Sequence, residues 1–521
     1  MPSAAEKLAD SLEALHGLQK GGKVAIRSAE LSRTHRERLL KAGFLKPVMK
    51  GWYIPARPDE TTGESTAWYA SFWAFCATYL AERFGEAWVL SPEESLLLHT
   101  GNRTVPRQLL VRAPKGKNNI VALPHDTSLL DVKADLPPAA LIEKKDGLNL
   151  YTLPAALVAS GPGFYTASAN EARAALGTIR NASEVLSLLL EGGHTKAAER
   201  LAGGFRNIGK ARIADDIIKT MQAAGYNVRE TDPFAGPSPI ELRDHERSPH
   251  VARLRLMWQT MRGEIAAHFP PPPGRPNDIA AYLKRVDETY VTDAYHSLSI
   301  EGYQVTLELI ERVRRGNWNP DNNEEDQNHR NALAARGYWQ AFQAVKLAVE
   351  RVLHGDNPGE VVEARHGDWY RELFAPSITA GLIKPADLAG YRNAPVYIRK
   401  SMHVPPAREA VLDLMETFFE LLSEEPDPAA RVVLGHFAFV YIHPYMDGNG
   451  RMARFLMNTM LAAGGYSWTV IPVTRRDDYM AALEAASVGQ DIRPFARFIG
   501  GLVRSTREPS PQATPTNDPP A

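Results

Sequence analysis

Apolar positions along the chain fall into two regimes, with a change near residue 240. Before it the segments are short. Ala5 to Leu18 has apolar residues at helical spacing, and Val24–Arg27 reads as a brief extended piece. Ser28-Ala-Glu-Leu-Ser begins a short helix, Ser32 is placed to cap a helix running to Ala42, and Gly43 stops it. Phe44–Val48 and Trp52–Ile54 then flank Met49-Lys50-Gly51 as a hairpin. Residues 59–230 mix short strands (Gln108–Arg112, Asn119–Leu123, Leu148–Leu153) with a helical stretch over 168–228. Thr231–Ile240 is rich in Pro and Gly and reads as a linker, opening a 231–275 segment of linker and leading helix. From 276 to 505 the pattern is of long helices: Asp278–Ser299, Asn331–Leu353, Arg431–Ile442 and Arg451–Leu461. Gly390–Ile398 and Met402–Pro406 suggest a two-stranded ribbon among them. Residues 506–521 lack the apolar content to offset ordering entropy and should be disordered. The expected fold is mostly α: a helical domain with a small β-hairpin, preceded by a small α+β domain and an N-terminal unit over 1–58.

Composition changes this picture little. With 521 residues, 44% apolar and 23% charged, the chain suits about three to four globular domains. Lys+Arg number 60 against 61 Asp+Glu, so no global charge points to nucleic acid. A single cysteine, Cys76, excludes an internal disulfide and fits a reducing cytoplasm. Met1-Pro-Ser-Ala-Ala-Glu-Lys does not read as a signal peptide, and the apolar run Ala67–Leu80 is too short to span a bilayer. A cytoplasmic protein with no membrane partner is expected, and a homo-oligomer is compatible with all of this. Local charge says more. Residues 1–58 carry eleven Lys/Arg against five Asp/Glu. Helix, short helix, basic helix and hairpin is the plan of a winged helix-turn-helix, whose Arg33, Arg36, Arg38, Lys41 and Lys50 would meet the phosphates of duplex DNA. The same fold also serves protein contact or dimerisation.

The densest chemistry lies in His443-Pro-Tyr-Met-Asp447-Gly448-Asn449-Gly450-Arg451-Met-Ala-Arg454. Gly448 and Gly450 permit a backbone nest at the positive end of the following helix, a natural seat for phosphate. Arg451 and Arg454 are three apart and share a helical face, ready to grip phosphate oxygens. Asp447 supplies a hard oxygen for Mg2+. His443, as a neutral imidazole, could take a proton from an attacking hydroxyl. The plainer alternative is a Gly-Asn turn between core helices, with surface arginines.

These residues resemble the Fic family motif, His-x-Phe-x-(Asp/Glu)-Gly-Asn-Gly-Arg-x-x-Arg, departing from it only at Tyr445. A tyrosine there must find a partner for its hydroxyl or point it to water. The resemblance implies an all-helical Fic core that transfers AMP from ATP, with Mg2+, to a protein hydroxyl. His443 would be the base and Asp447 the metal ligand. Asn449 and the Gly448–Gly450 backbone would hold the α-phosphate, Arg451 the β-phosphate and Arg454 the γ-phosphate. Ser297-Leu-Ser-Ile-Glu301-Gly302 matches the family's inhibitory motif, (Ser/Thr)-x-x-x-Glu-(Gly/Asn), placed upstream of the core. Glu301 would form a bidentate pair with Arg454 and deny it to the γ-phosphate; a Gly-capped helix end is the plainer reading. The ribbon resembles the Fic flap, whose Val396, Tyr397, Ile398, His403 and Val404 would take a target by strand addition. Tyr479 would stack on the adenine, or else pack at a helix start. Residues 20–230 resemble type IV abortive-infection antitoxins in a general way.

The expectation is an autoinhibited protein adenylyltransferase acting on Ser, Thr or Tyr of a protein target, with a DNA-binding N-terminal half. Alternatives are a nucleotide-sensing transcriptional regulator or antitoxin-like DNA-binding protein, and an enzyme that removes AMP using the same site.

Overall fold

The structure is a computed structural model that describes residues 3–20, 23–58, 64–242, 248–317 and 329–507. The chain forms two compact units: one comprises residues up to Leu256 together with Val396–Pro406, the other Met257–Pro395 and the residues from Ala407 onward. The tail expected to be disordered lies, beyond Arg507, outside the described residues.

The first unit opens with the helix Ala4–Lys20 and then places Ile26–Arg27, Trp52–Pro55 and Leu45–Met49 side by side, in that order, as an antiparallel sheet. Ser32 caps the helix Arg33–Lys41 by accepting from the His35 N–H, as its position in the sequence predicts. Ser28–Leu31 is a turn and bend rather than a helix. A four-stranded sheet follows, ordered Val89–Leu90, Gln108–Ala113, Thr127–Lys133, Asn119–Leu123, with the central pair parallel. The sequence reading missed Thr127–Lys133. Its inward positions include Asp131, fully buried, which accepts from the Lys117 and Asn119 N–H groups at 3.1 and 3.0 Å and pairs with Arg83. A charge on the buried face breaks the alternation that marks a strand. Helices between Leu153 and Ala223 then close a core around Leu157, Leu176, Leu201, Phe205 and Ile217.

The stretch expected to be a free linker is packed. Phe234 is buried in that helical core, the Arg173 guanidinium lies 4.2 Å from its ring centroid, and Arg173 donates to the Gly236 carbonyl at 2.8 Å. Its prolines and glycines shape an irregular but ordered path.

The second unit is helical. Pro428–Ile442 is apolar on almost every face, which marks a helix at the centre of a core rather than on its surface. Asp427 caps it and Pro428 occupies its first turn. It packs beside Asn449–Ala463, itself buried along nearly its whole length. Around this pair stand Ile279–Ile300, His329–His354, Pro358–Thr379, Val411–Glu424, Arg476–Ser487 and Arg493–Arg507. No helix among the described residues is long and apolar enough to cross a membrane.

Candidate active site

The loop between the two central helices is built by three local decisions. His443 follows Ile442 in the left-handed conformation (φ 53°, ψ 59°), ending the first helix. For a non-glycine residue this costs about 1–2 kcal/mol, so the surroundings must hold it. Gly448, at φ 81°, begins the second helix, and a side chain there would also strike the Phe374 ring at 2.9 Å. Asn449 binds the intervening turn: its Oδ1 accepts from the Tyr445 N–H at 2.9 Å and its Nδ2 donates to the Tyr445 carbonyl at 2.8 Å. That corrects one expectation. The Asn449 side chain is spent on the loop, and what it can offer an anion is its main-chain N–H at the helix start.

The His443 Nδ1 lies 3.1 Å from the Val440 carbonyl. A carbonyl only accepts, so Nδ1 carries the proton and Nε2 keeps its lone pair. Burial pushes the imidazole pKa down to about 4, with Arg392 adding to the fall and the Val440 bond, Glu301 and Asp447 opposing it. At neutral pH the ring is therefore uncharged, the form a general base requires.

The two motif arginines differ in their surroundings. Arg451 is buried between the Tyr303 and Phe374 rings, 5.2 and 5.1 Å from their centroids, and its Nε has no hydrogen-bond partner. Arg454 donates from Nε to the Ser297 hydroxyl (2.8 Å) and from Nη2 to the Ser297 carbonyl (3.1 Å) and to Glu301 Oε1 (2.6 Å). The pair with Glu301 is thus single-pronged, not bidentate, because Ser297 takes the other edge of the fork; Nη1 is left without a partner. Buried donors without partners are costly unless an acceptor visits. A Cβ on Gly450 would fall 2.3 Å from Glu301 Oε1 and 3.2 Å from Arg454 Nη1. The carboxylate therefore sits over the first turn of the Asn449–Ala463 helix, where an anion is favoured. Burial alone would raise the Glu301 carboxyl, but Arg454 and Arg451 hold it net below its ordinary pKa. Gly302, at φ 87°, closes the helix that carries Ser297 and Glu301.

Asp447 keeps 67% of its side chain exposed; Oδ1 accepts from the Gly448 N–H at 2.6 Å and Oδ2 lies 3.5 Å from Arg451. No group of three His, Cys, Asp or Glu able to hold a metal occurs among the described residues. Asp447 alone offers one open hard oxygen, so a divalent cation there would need phosphate and water to complete its shell.

Two expectations give way. Tyr479 is buried, its hydroxyl 2.7 Å from His436 Nε2 and its ring among Phe495 and Phe498. That is the packed alternative. No strand occurs over Val396, Tyr397, Ile398, His403 and Val404. Pro395, Pro405 and Pro406 remove ladder donors, and residues 396–406 instead belong to the first unit. There Arg399 grips Glu64 with Nε and Nη2 at 2.6 and 2.9 Å, the Val105 N–H donates to the Met402 carbonyl at 2.9 Å, and Val404 joins the core of Trp68 and Phe72. Val396, His403 and Val404 are buried. Of the basic set at the N-terminus, Arg33 pairs with Glu37, while Arg36 turns inward to the Ser28 carbonyl (2.8 Å) and Arg38 toward that of Lys7 (3.4 Å). Arg33, Lys41 and Lys50 are all exposed.

Tyr445, the departure from the motif, stacks on Tyr370 with centroids 3.8 Å apart and lines a cavity of about 150 Å³ with His366 and Tyr391. Among the described residues no hydrogen bond holds its hydroxyl, and burial raises its pKa. Sequence reasoning missed Arg392. Buried, it donates from Nε to the His443 carbonyl at 2.8 Å, across 51 positions.

Residues 366–461 match the model of the Fic/DOC family. The protein adenylyltransferase Fic of Drosophila grimshawi is 32% identical over 234 residues, 44% of each chain. That of Nematostella vectensis is 31% identical over 229 residues, 43% of this chain and 49% of the other. The chain thus spans about half, or less, of these curated relatives. Among solved structures, Fic-1 (aa134–508) from C. elegans aligns with 65% of this chain and 94% of its own at 19% identity, with a TM-score of 0.36.

Proposed function

From a chain whose residues 366–461 form a Fic domain, we infer an ATP-dependent protein adenylyltransferase held back by its own Glu301. The observation that carries this reading is the carboxylate lying over Gly450 against Arg454, an anion already seated at a helix N-terminus. The relatives' printed name supports the chemistry.

In this reading the main-chain N–H groups opening the Asn449–Ala463 helix, with Arg451 and Arg454, receive the phosphates of ATP. His443 Nε2 accepts the proton of a Ser, Thr or Tyr hydroxyl as its oxygen attacks the α-phosphorus. The P–O bond to the β-phosphate breaks and pyrophosphate leaves. Mg2+, held through Asp447, would neutralise phosphate charge when bound. Most of the rate comes from positioning and charge stabilisation. Glu301 occupies the side of Arg454 that a terminal phosphate needs, so the triphosphate cannot settle in line.

Incubation with α-labelled ATP and magnesium tests this. Wild type should label itself weakly, Glu301→Gly about tenfold or more strongly (about 1.4 kcal/mol of barrier), and His443→Ala not at all. Absence of label from Glu301→Gly, alone or with lysate, would overturn the transferase reading.

A second reading concerns the first unit. The strand order Ile26–Arg27, Trp52–Pro55, Leu45–Met49 beside the helix Arg33–Lys41, with Lys41 and Lys50 exposed, favours a winged helix on duplex DNA. Titration of the full chain with duplex across a salt series decides it, since phosphate contacts weaken steeply with salt.

A further inference from the structure

The left-handed turn at His443 needs something to hold it, and the helix it ends leaves its last carbonyls without intrahelical partners. Arg392 meets both needs. Its Nε donates to the His443 carbonyl at 2.8 Å, Nη2 reaches toward the Ile442 carbonyl at 3.5 Å, and its own main-chain N–H donates to the Pro444 carbonyl at 2.8 Å. Nη1 turns back to the Ala394 carbonyl at 3.4 Å. One residue thus bonds to the backbone before, at and after the imidazole. It is 5% exposed. A buried cation at a helix C-terminus is also placed favourably toward the helix dipole. Burial lowers the guanidinium pKa to about 10, still fully charged at neutral pH. The Val440 carbonyl that fixes the ring tautomer belongs to the same helix end, so a slackened turn would release the Nδ1 bond too.

We propose that Arg392 is a positioning residue for His443: it locks the turn that aims Nε2 and keeps the proton on Nδ1. This rests on the adenylyl-transfer reading for its kinetic consequence, though not for its structural one.

Two measurements test it, both in the Glu301→Gly background. Labelling rates against ATP concentration should show Arg392→Gln losing about ten- to hundredfold in kcat while KM for ATP stays within about twofold. Arg392→Lys, which can still donate to one carbonyl, should recover part of the loss. Independently of activity, 15N spectra of ring-labelled histidine, with the His443 signal identified by its absence from His443→Ala, should show the Nδ1–H tautomer in the parent. Arg392→Gln should show a mixture. A parent that does not label would sink the transferase reading, and the tautomer spectrum would still decide the role of Arg392. Unchanged kcat, or an unchanged tautomer, overturns the proposal; so does a kcat loss matched by a KM rise and a lowered Tm, the mark of general damage.

Discussion

Two buried arginines flank the motif loop, and they differ in what holds them. Arg454 faces a carboxylate whose side chain keeps 28% of its surface exposed, and one of its nitrogens has no partner. Arg392 donates to main-chain carbonyls of the loop itself. A side-chain carboxylate can be exchanged for another anion at modest cost, because both partners stay compensated. A backbone carbonyl cannot be exchanged without refolding the loop. The phosphate end of the site is therefore built to change partners, and the base end to stay still. The first should show itself in binding of ATP, the second in the rate once ATP is bound.

The strongest way to sharpen that contrast acts at Gly450. Its conformation does not require glycine, since its φ is not positive, but a Cβ would stand where Glu301 Oε1 now lies. In the Glu301→Gly background the same Cβ would crowd an incoming phosphate oxygen. Gly450→Ala should then cost about tenfold in labelling efficiency, about 1.4 kcal/mol, nearly all of it as a raised KM for ATP. Arg392→Gln should lose kcat instead. If Gly450→Ala leaves KM where it was, the anion does not sit over this turn, and the distinction between the two ends collapses.

How far the sequence disclosed this arrangement depends on the separation of the partners. The motif 443–454 was legible because its residues are neighbours: glycines for the turn, arginines one helical turn apart, a carboxylate beside them. Ser297 and Glu301 were legible for the same reason, four apart on one face. Which edge of Arg454 each would take was not, and so a bidentate pair was expected where Ser297 holds part of the fork. Arg392 gave no local signal, since its partners lie some fifty residues away and are carbonyls, which every residue has. Asn449 and Tyr479 were assigned outward roles because polarity says that a side chain needs partners, not whether they are ligand or protein. The ribbon at 390–406 failed on packing. Its apolar residues were read as an open edge, yet Val404 is buried in the first unit's core, and the prolines leave no ladder to build. Secondary structure followed periodicity in Asp278–Ser299 and Asn331–Leu353, but the helix Pro358–Thr379 was not anticipated.

The smallest expected effect tests whether the base end depends on anything besides Arg392. Tyr445 stands where the family motif has Phe, stacked on Tyr370, with its ring on the wall of the small cavity. Since no described protein group bonds its hydroxyl, Tyr445→Phe removes no protein hydrogen bond and retains the ring stack. Labelling in the Glu301→Gly background should stay within about twofold and the midpoint of thermal unfolding within about 1 °C, less than the ~2 °C that about 1 kcal/mol would move a unit of roughly 250 residues. A tenfold fall in kcat at constant KM would mean that the hydroxyl, through water in the cavity, helps fix the loop. The rigidity attributed to Arg392 would then be shared with the opposite face of the turn.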